Sequence, residues 1–168
     1  MINIIKSVYS SLEQKNYYGA LFMSLTLPDI CAALKDGKTS GNKYASWFNA
    51  NLSKYKGYLS GNDCYALRCA LLHQGTDDIT SQRVHEVLEH FVFLTDGAHK
   101  ILVKDGVIDG KKDSFLQLNV QEFCKDICIA VEKWLESVKE DVEIQERLKD
   151  TIEIHEPPYV YKGVIKFE

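Results

Sequence analysis

Two side chains able to handle phosphate groups or protons stand five residues apart in an otherwise largely apolar stretch, residues 60–75. Arg68 carries a permanently charged, planar guanidinium, whose N–H groups match the oxygens of a phosphate. His73 carries an imidazole, which titrates near neutral pH and can accept or donate a proton. Burying either group without a partner is costly. The pair is therefore the candidate site for phosphate binding and proton transfer.

The stretch that holds this pair has the features of one short helix. Ser60, Asn62 and Asp63 are candidates for its N-cap, because each side chain has an oxygen that can accept a free backbone N–H. Gly75 stands where a left-handed C-cap would fall. Most of the surface between them is apolar, which predicts a largely buried helix. Since a five-residue step turns about 140° in an ideal helix, we expect the two side chains to share a face only if the helix end unwinds or a second subunit contributes.

The Arg-x4-His arrangement of Arg68 and His73 at the end of a helix resembles the signature of the HEPN superfamily. The resemblance implies a small helical bundle, usually a homodimer in which two motif helices meet at a cleft. It also implies a metal-independent endoribonuclease of toxin or defence type, without a cofactor and with a possible inhibitor protein as partner. Arg68 would then bind the scissile phosphate, and His73 would move the proton of the 2′-hydroxyl.

Other interpretations of the same residues stay open. Many HEPN-like domains are non-catalytic modules that bind RNA or protein, and the Tyr- and Trp-rich helices would also suit a small-molecule sensor. In a purely structural role, Arg68 would form a salt bridge with Asp63 or with another acid, and His73 would interact with the helix C-terminus. A zinc site formed by Cys69 and His73 with the Cys124–Cys128 pair does not match zinc-finger spacing, so we expect no metal.

A basic, aromatic segment precedes the motif helix. Residues 35–62 contain five lysines and one acid, and tyrosines and a tryptophan lie between the lysines. Such a mixture can hold phosphates and stack bases. The predicted RNA-binding residues are Lys43, Lys54, Lys56 and Tyr58. The alternative is a solvated helix face with core aromatics behind it.

The remaining patterns predict a mostly α (α+β) fold, a HEPN-like single domain over residues 1–168 with a small antiparallel β insertion around residues 89–118. Predicted helices cover residues 2–14, 17–34, about 40–52, 120–138 and 139–156, with a kink or break near Thr26–Pro28. The Asp96–Gly97 pair predicts a tight hairpin turn between two strands. Residues 159–161 and 164–167 alternate weakly and could form a terminal strand.

Composition limits the class of protein. The 168 residues carry a net charge of −4, which argues against a protein generally coated by nucleic acid but allows a local basic site. The sequence pattern predicts no apolar run of membrane-spanning length, and the first residues lack the pattern of a signal peptide. The five cysteines are not spaced as a disulfide framework. We therefore expect a cytoplasmic protein that contacts no membrane.

Overall fold

The structure is a computed structural model, and it describes residues 1–82, 86, 88–108, 110–161 and 165–167. The fold is mostly helical with a small mixed sheet, which confirms the α+β class. The helices are α1 Ile2–Glu13, α2 Tyr17–Asp36, α3 Gly41–Asn51, α4 Gly61–Gln74, α5 Val120–Ser137 and α6 Val142–Lys149, with a 3₁₀ turn at Ser53–Tyr55. The strands are β1 His90–Leu94, β2 Ile101–Ile108, β3 Lys111–Asn119, β4 Tyr159–Tyr161 and β5 Ile165–Phe167.

Helix α2 is the central helix and packs against α1, α3, α4, α5 and α6. It continues through Pro28, so the expected break is absent. Proline cannot donate the backbone bond of that turn. Close by, the Ser24 and Thr26 hydroxyls each donate a 2.7 Å hydrogen bond to a carbonyl of the preceding turn, on Ala20 and Met23. Local hydroxyl bonds and burial on several sides thus accompany a helix that the proline alone would disfavour.

By length and composition, α2 could cross a membrane, contrary to the sequence-based expectation. Its 18-residue apolar window is 50% buried inside the fold, and core helices and signal sequences share the same properties. One such helix is weak evidence for a membrane span. The absence of membrane contact and the cytoplasmic location stay predictions.

Helix α4 begins and ends as the sequence predicted. The Ser60 hydroxyl accepts a 3.0 Å hydrogen bond from the Asp63 N–H, and Gly75 closes the helix with φ +69°. At its start, α4 lies so close to α3 that a Cβ on Gly61 would clash with the backbone of Ala45. This close packing fixes α4 against α3.

The strand order differs from the prediction. The sheet has the order β1–β3–β2, with β1 parallel and β2 antiparallel to β3. The Asp96–Gly97 hairpin prediction was wrong, because β1 and β2 lie on opposite sides of β3. A type I′ turn needs positive φ at both central residues, whereas of these two only Gly97 has it, at +96°. The hairpin that does form joins β2 to β3 near Gly110, and Asp109 lies outside the described residues.

The buried apolar side chains form one cluster that extends from Met1 to Ile144. Helix α5 supplies one face of it, and the Asn119 side chain caps that helix as predicted. Helix α6 is shorter than expected, because it ends at Lys149 while the predicted segment continued to residue 156. No apolar side chain of residues 145–160 is fully buried, and among the described strands β4 and β5 pair only with each other.

Candidate functional site

Arg68 and His73 meet at the surface end of α4. The Arg68 Nη1 atom lies 3.3 Å from His73 Nε2, although α4 is regular as far as Gln74. The expectation that an unwound end or a second subunit is needed was wrong. The expected angle of about 140° between the two residues describes the directions of their Cα–Cβ bonds. The arginine side chain is long enough to cross from one helix face to the next.

Asp29 of α2 holds the inner side of the Arg68 guanidinium. Its Oδ2 atom lies 2.9 Å from Arg68 Nε, although the N–H is not aligned as in a hydrogen bond. Its other oxygen accepts a 2.9 Å hydrogen bond from the Thr39 hydroxyl. The Asp29 side chain is 12% exposed and that of Arg68 is 22% exposed, so the ion pair is largely shielded from water. Thr39, Asp29, Arg68 and His73 therefore form a chain of polar contacts that ends at the surface.

Asp29 is a residue that sequence reasoning missed. The only sequence signal was an acid inside a strongly apolar helix, immediately after Pro28. Asp63, the acid named beforehand as a possible partner of Arg68, has another role. It forms part of the α4 cap, and its Oδ1 accepts a 2.6 Å hydrogen bond from the Glu86 N–H.

The imidazole of His73 is exposed, and its tautomer follows from its neighbour. A guanidinium can only donate hydrogen bonds, so in this contact His73 Nε2 must be the acceptor. The neutral ring then carries its proton on Nδ1. His73 thus presents a lone pair beside a fixed cation, which is the form in which imidazole can act as a base.

The groups behind the pair lack the character of nucleophiles. The Tyr44 and Tyr65 rings have centroids 5.3 Å apart, and the Tyr44 hydroxyl lies 3.4 Å from Cys64 Sγ. Burial raises the pKa of the Cys64 thiol to about 12, and burial also raises the pKa of the Tyr44 hydroxyl well above its usual range. Both groups are therefore protonated near neutral pH, and they add no nucleophile to the Arg68–His73 pair.

The four predicted RNA-binding residues do not form one surface with this pair. Lys43 lies 3.2 Å from the Asp36 carboxylate, and Lys54 forms an ion pair with Asp126. Lys56 and Tyr58 instead line a separate cavity between the 3₁₀ turn and β2. Two of the four side chains are thus engaged by acids of the protein, and the other two lie together at a different site.

A second polar cluster lies beneath that cavity, and sequence reasoning missed it as well. His99 Nδ1 accepts a 3.2 Å hydrogen bond from the Asn119 N–H, so the neutral ring carries its proton on Nε2. The Nε2 atom lies 3.0 Å from the Tyr55 hydroxyl, which donates a 2.8 Å hydrogen bond to Asp126. Burial is the main cause that lowers the pKa of His99 and raises that of Tyr55. The cluster ties the 3₁₀ turn, the segment before β2 and α5 together.

The cysteines form no disulfides and no metal cluster within the described ranges. All five thiols are free, and every one except Cys69 is buried. No group of three or more His, Cys, Asp or Glu side chains in this part of the chain could hold a metal ion. The site thus consists of a guanidinium, an imidazole and the carboxylate that orients them.

The chain was compared with protein families, curated proteins and solved structures. No protein-family model, no curated protein and no solved structure matches the chain.

Proposed function

We propose that the chain is a metal-independent endoribonuclease with Arg68 as the phosphate-binding group and His73 as the general base or acid. The observation that carries the proposal is the 3.3 Å contact between Arg68 Nη1 and His73 Nε2. Because Asp29 holds Arg68 Nε on the inner side, the outer guanidinium nitrogens are directed towards the exposed imidazole. A phosphate oxygen could replace His73 as the partner of Nη1.

That replacement would free the His73 lone pair for chemistry. Nε2 would take the proton of a ribose 2′-hydroxyl, and the 2′-oxygen would attack the adjacent phosphorus. The bond from phosphorus to the 5′-oxygen would break, and that oxygen would receive a proton from imidazolium or water. The products are a 2′,3′-cyclic phosphate and a 5′-hydroxyl, and Arg68 would stabilise the charge on the phosphate throughout.

We also propose that the active form is a homodimer, because the pair lies on an exposed surface that a second copy would convert into a cleft. An apolar surface adjoins the end of α4, and in it Tyr18 is 78% exposed and Phe22 is 36% exposed. Next to Tyr18 is a cavity of about 340 Å³, whose wall includes Leu67, Leu71 and Gly75 of α4. A two-fold axis through this surface would bring two copies of α4 together.

The dimer has a direct test. Tyr18→Glu should give a monomer in light scattering and reduce RNA cleavage, because a charge would replace apolar contact area. Ile154→Glu is the matched control, since Ile154 is 91% exposed and lies in the C-terminal segment. A wild-type protein that stays monomeric at all micromolar concentrations would refute the dimer. A cytoplasmic toxin or defence role with an inhibitor protein rests on the HEPN resemblance.

The second candidate is a non-catalytic RNA- or protein-binding module. The observation in its favour is that Arg68 already has a largely shielded carboxylate partner, as in an arginine that only joins two helices. In that role Arg68 would stabilise the packing of α2 on α4. His73 would then serve only as a polar surface residue.

One experiment separates the two candidates. Purified protein in EDTA should cut single-stranded RNA, and it should spare an otherwise identical strand with 2′-deoxyribose at the cleaved position. His73→Ala should abolish cleavage without changing the unfolding midpoint, because the side chain is exposed. His155→Ala is the control, since His155 is also exposed. If His73→Ala cuts as fast as wild type, or if no RNA is cut, the binding module replaces the nuclease.

A further inference from the structure

The cavity that contains Lys56 and Tyr58 is distinct from the Arg68–His73 pair. It has a volume of about 470 Å³, within the range of about 300–1,000 Å³ that small-molecule sites occupy. Its walls are the loop after α3, the start of α4, residues 86 and 88, and β2. The base is apolar and consists of Leu52, Leu59, Leu88 and Leu102, of which the first three are at most 3% exposed.

Two cations border this apolar base. Lys56 and Lys104 line the cavity, and within the described ranges neither has an acid within 4.0 Å. Lys54 differs from them, because Asp126 binds it. The cavity thus has two ammonium groups that no carboxylate of the described residues neutralises by direct contact.

Two carboxylates also lie in the wall, and protein donors engage both of them. Asp63 accepts hydrogen bonds from the Ser60 hydroxyl and the Glu86 N–H. Glu86 accepts a 2.7 Å hydrogen bond from the Asn62 side chain. Their lone pairs are partly occupied, so the lysines are the charged groups with the most capacity for a ligand.

Tyr58 gives the cavity a planar side. Its side chain lines the cavity and is 43% exposed. The Lys100 ammonium lies 5.8 Å from the centre of the Tyr58 ring and 5.5 Å from that of Tyr55, close enough for cation–π attraction. A flat molecule could stack on the aromatic ring while its apolar edge covers the leucines.

Strand β2 carries Lys104 at this wall and contains a β-bulge next to it. The pairing of β2 with β3 shifts register between Val103 and Gly106, and Asp105 has φ +50°. A Cβ at residue 106 would lie 2.8 Å from a Val103 methyl carbon, so glycine avoids a displacement of Val103 here. Bulges change the direction of side chains and are common next to functional sites. Lys104 and Leu102 are two residues apart in β2 and line the same cavity, one as cation and the other as part of the apolar base.

The opposite wall is anchored from below. Tyr55 is fully buried, and its hydroxyl bonds to His99 and Asp126 hold the loop that carries Lys56 and Tyr58. The wall that carries Lys56 and Tyr58 is therefore held in place by contacts within the protein. A preformed site loses little conformational entropy on binding.

From these observations we propose that this cavity binds a planar, largely apolar small molecule that carries one anionic group, a carboxylate or a phosphate. The planar body would stack on Tyr58 over the leucines, and the anion would bridge Lys56 and Lys104. This inference goes beyond the proposed nuclease, because it uses neither Arg68 nor His73. It makes the chain a sensor or a carrier of an aromatic acid or ester in addition to any action on RNA.

Titration calorimetry with naphthalene-2-carboxylate and 2-naphthyl phosphate tests the proposal and distinguishes the two anions. At least one should bind, and the neutral naphthalene-2-carboxamide should bind about tenfold more weakly, since charge-assisted hydrogen bonds are the stronger ones. Inorganic phosphate alone should bind more weakly than 2-naphthyl phosphate, because it lacks the stacking body. Equal affinity for the carboxamide, or equal affinity for inorganic phosphate, would overturn the proposal.

Variants locate the binding. The double substitution Lys56→Gln with Lys104→Gln should weaken binding of the naphthyl anion about tenfold or more, and Tyr58→Ala should weaken binding of both the anion and the carboxamide. Lys133→Gln is the matched control, because Lys133 is an exposed lysine of α5 away from the cavity. Arg68→Ala should leave binding unchanged, which separates this site from the nuclease. Unchanged binding in the double variant, or equal loss in Lys133→Gln, would refute the site.

Discussion

The sharpest test of the polar chain behind the Arg68–His73 pair is Asp29→Asn. The amide keeps the size of the carboxylate and an oxygen that can accept the Thr39 hydroxyl bond. It removes the negative charge beside Arg68 Nε, where an ion pair lay 2.9 Å apart, and it puts an NH₂ donor in place of one of the two carboxylate oxygens. The substitution therefore removes one interaction and leaves the rest of the packing in place.

The expected loss in the free energy of unfolding is about 1.5–3 kcal/mol, which lies between the roughly 0.2–1 kcal/mol of exposed ion pairs and the roughly 3–5 kcal/mol lost when one partner of a buried pair is removed. The pair is 12% and 22% exposed, so solvent screening reduces this little. Asp36→Asn is the control, because the Asp36–Lys43 pair is 38% and 30% exposed and such surface pairs contribute about 0.2–1 kcal/mol. Urea denaturation of both variants at pH 7 provides the measurement. Equal losses in the two variants would refute the shielded ion pair.

A second readout addresses positioning. In Asp29→Asn the Arg68 guanidinium is no longer held on its inner side, so cleavage of RNA should fall about 10- to 100-fold, the cost of a misplaced group in an active site. The rates are to be compared well below the unfolding midpoint of each variant. A destabilised Asp29→Asn protein that cuts RNA at the wild-type rate would show that Asp29 stabilises the helices without positioning Arg68.

Three further predictions concern other parts of the fold. The pKa of buried His99 is lowered from 6.5, so the unfolded chain binds a proton at this residue more readily than the folded protein does. The contribution of neutral His99 to the free energy of unfolding should therefore be fully present above about pH 6.5 and fall as the pH decreases below that value. Urea midpoints should show this fall in wild type and in His155→Gln but not in His99→Gln. Gly97→Val should cost about 1 kcal/mol or more in thermal unfolding, because Gly97 has φ +96°, and an unchanged midpoint would contradict this strain. Cys69 should be the one thiol that reacts rapidly with Ellman's reagent in the native protein, because the other four thiols are buried. Rapid reaction of more than one thiol per chain in wild type, or of any thiol in Cys69→Ser, would refute this prediction.

Features that depend on neighbouring residues could be predicted from the sequence. The caps of α4 at Ser60 and Gly75 and the Asn119 cap of α5 were placed correctly, because a cap is a contact between residues two to five positions apart. The Arg68–His73 pair was identified for the same reason. The contact between the two side chains was not predicted, because the angle between two positions on a helix takes no account of the length of the arginine side chain.

Features that depend on distant residues could not be predicted in this way. Asp29 and Arg68 are 39 positions apart, and α2 carries no local pattern that selects α4 as the neighbour of that carboxylate. The Asp96–Gly97 signal was strong but local, whereas the position of β1 is decided by the pairing of Phe91 with Leu116, both almost fully buried. Burial of these residues in the shared core outweighs the turn preference.

The strand order has a consequence for how the chain folds. Between β1 and its partner β3 the chain forms β2, which lies on the other edge of β3. The β2–β3 hairpin closes a short loop and can form within microseconds, whereas the β1–β3 pairing joins residues 25 positions apart. A chain that first paired β1 with β2 through the Asp96–Gly97 turn would have to separate them again before β3 could enter. The topology therefore predicts that the β2–β3 hairpin forms first and that β1 is added afterwards to an edge that already exists.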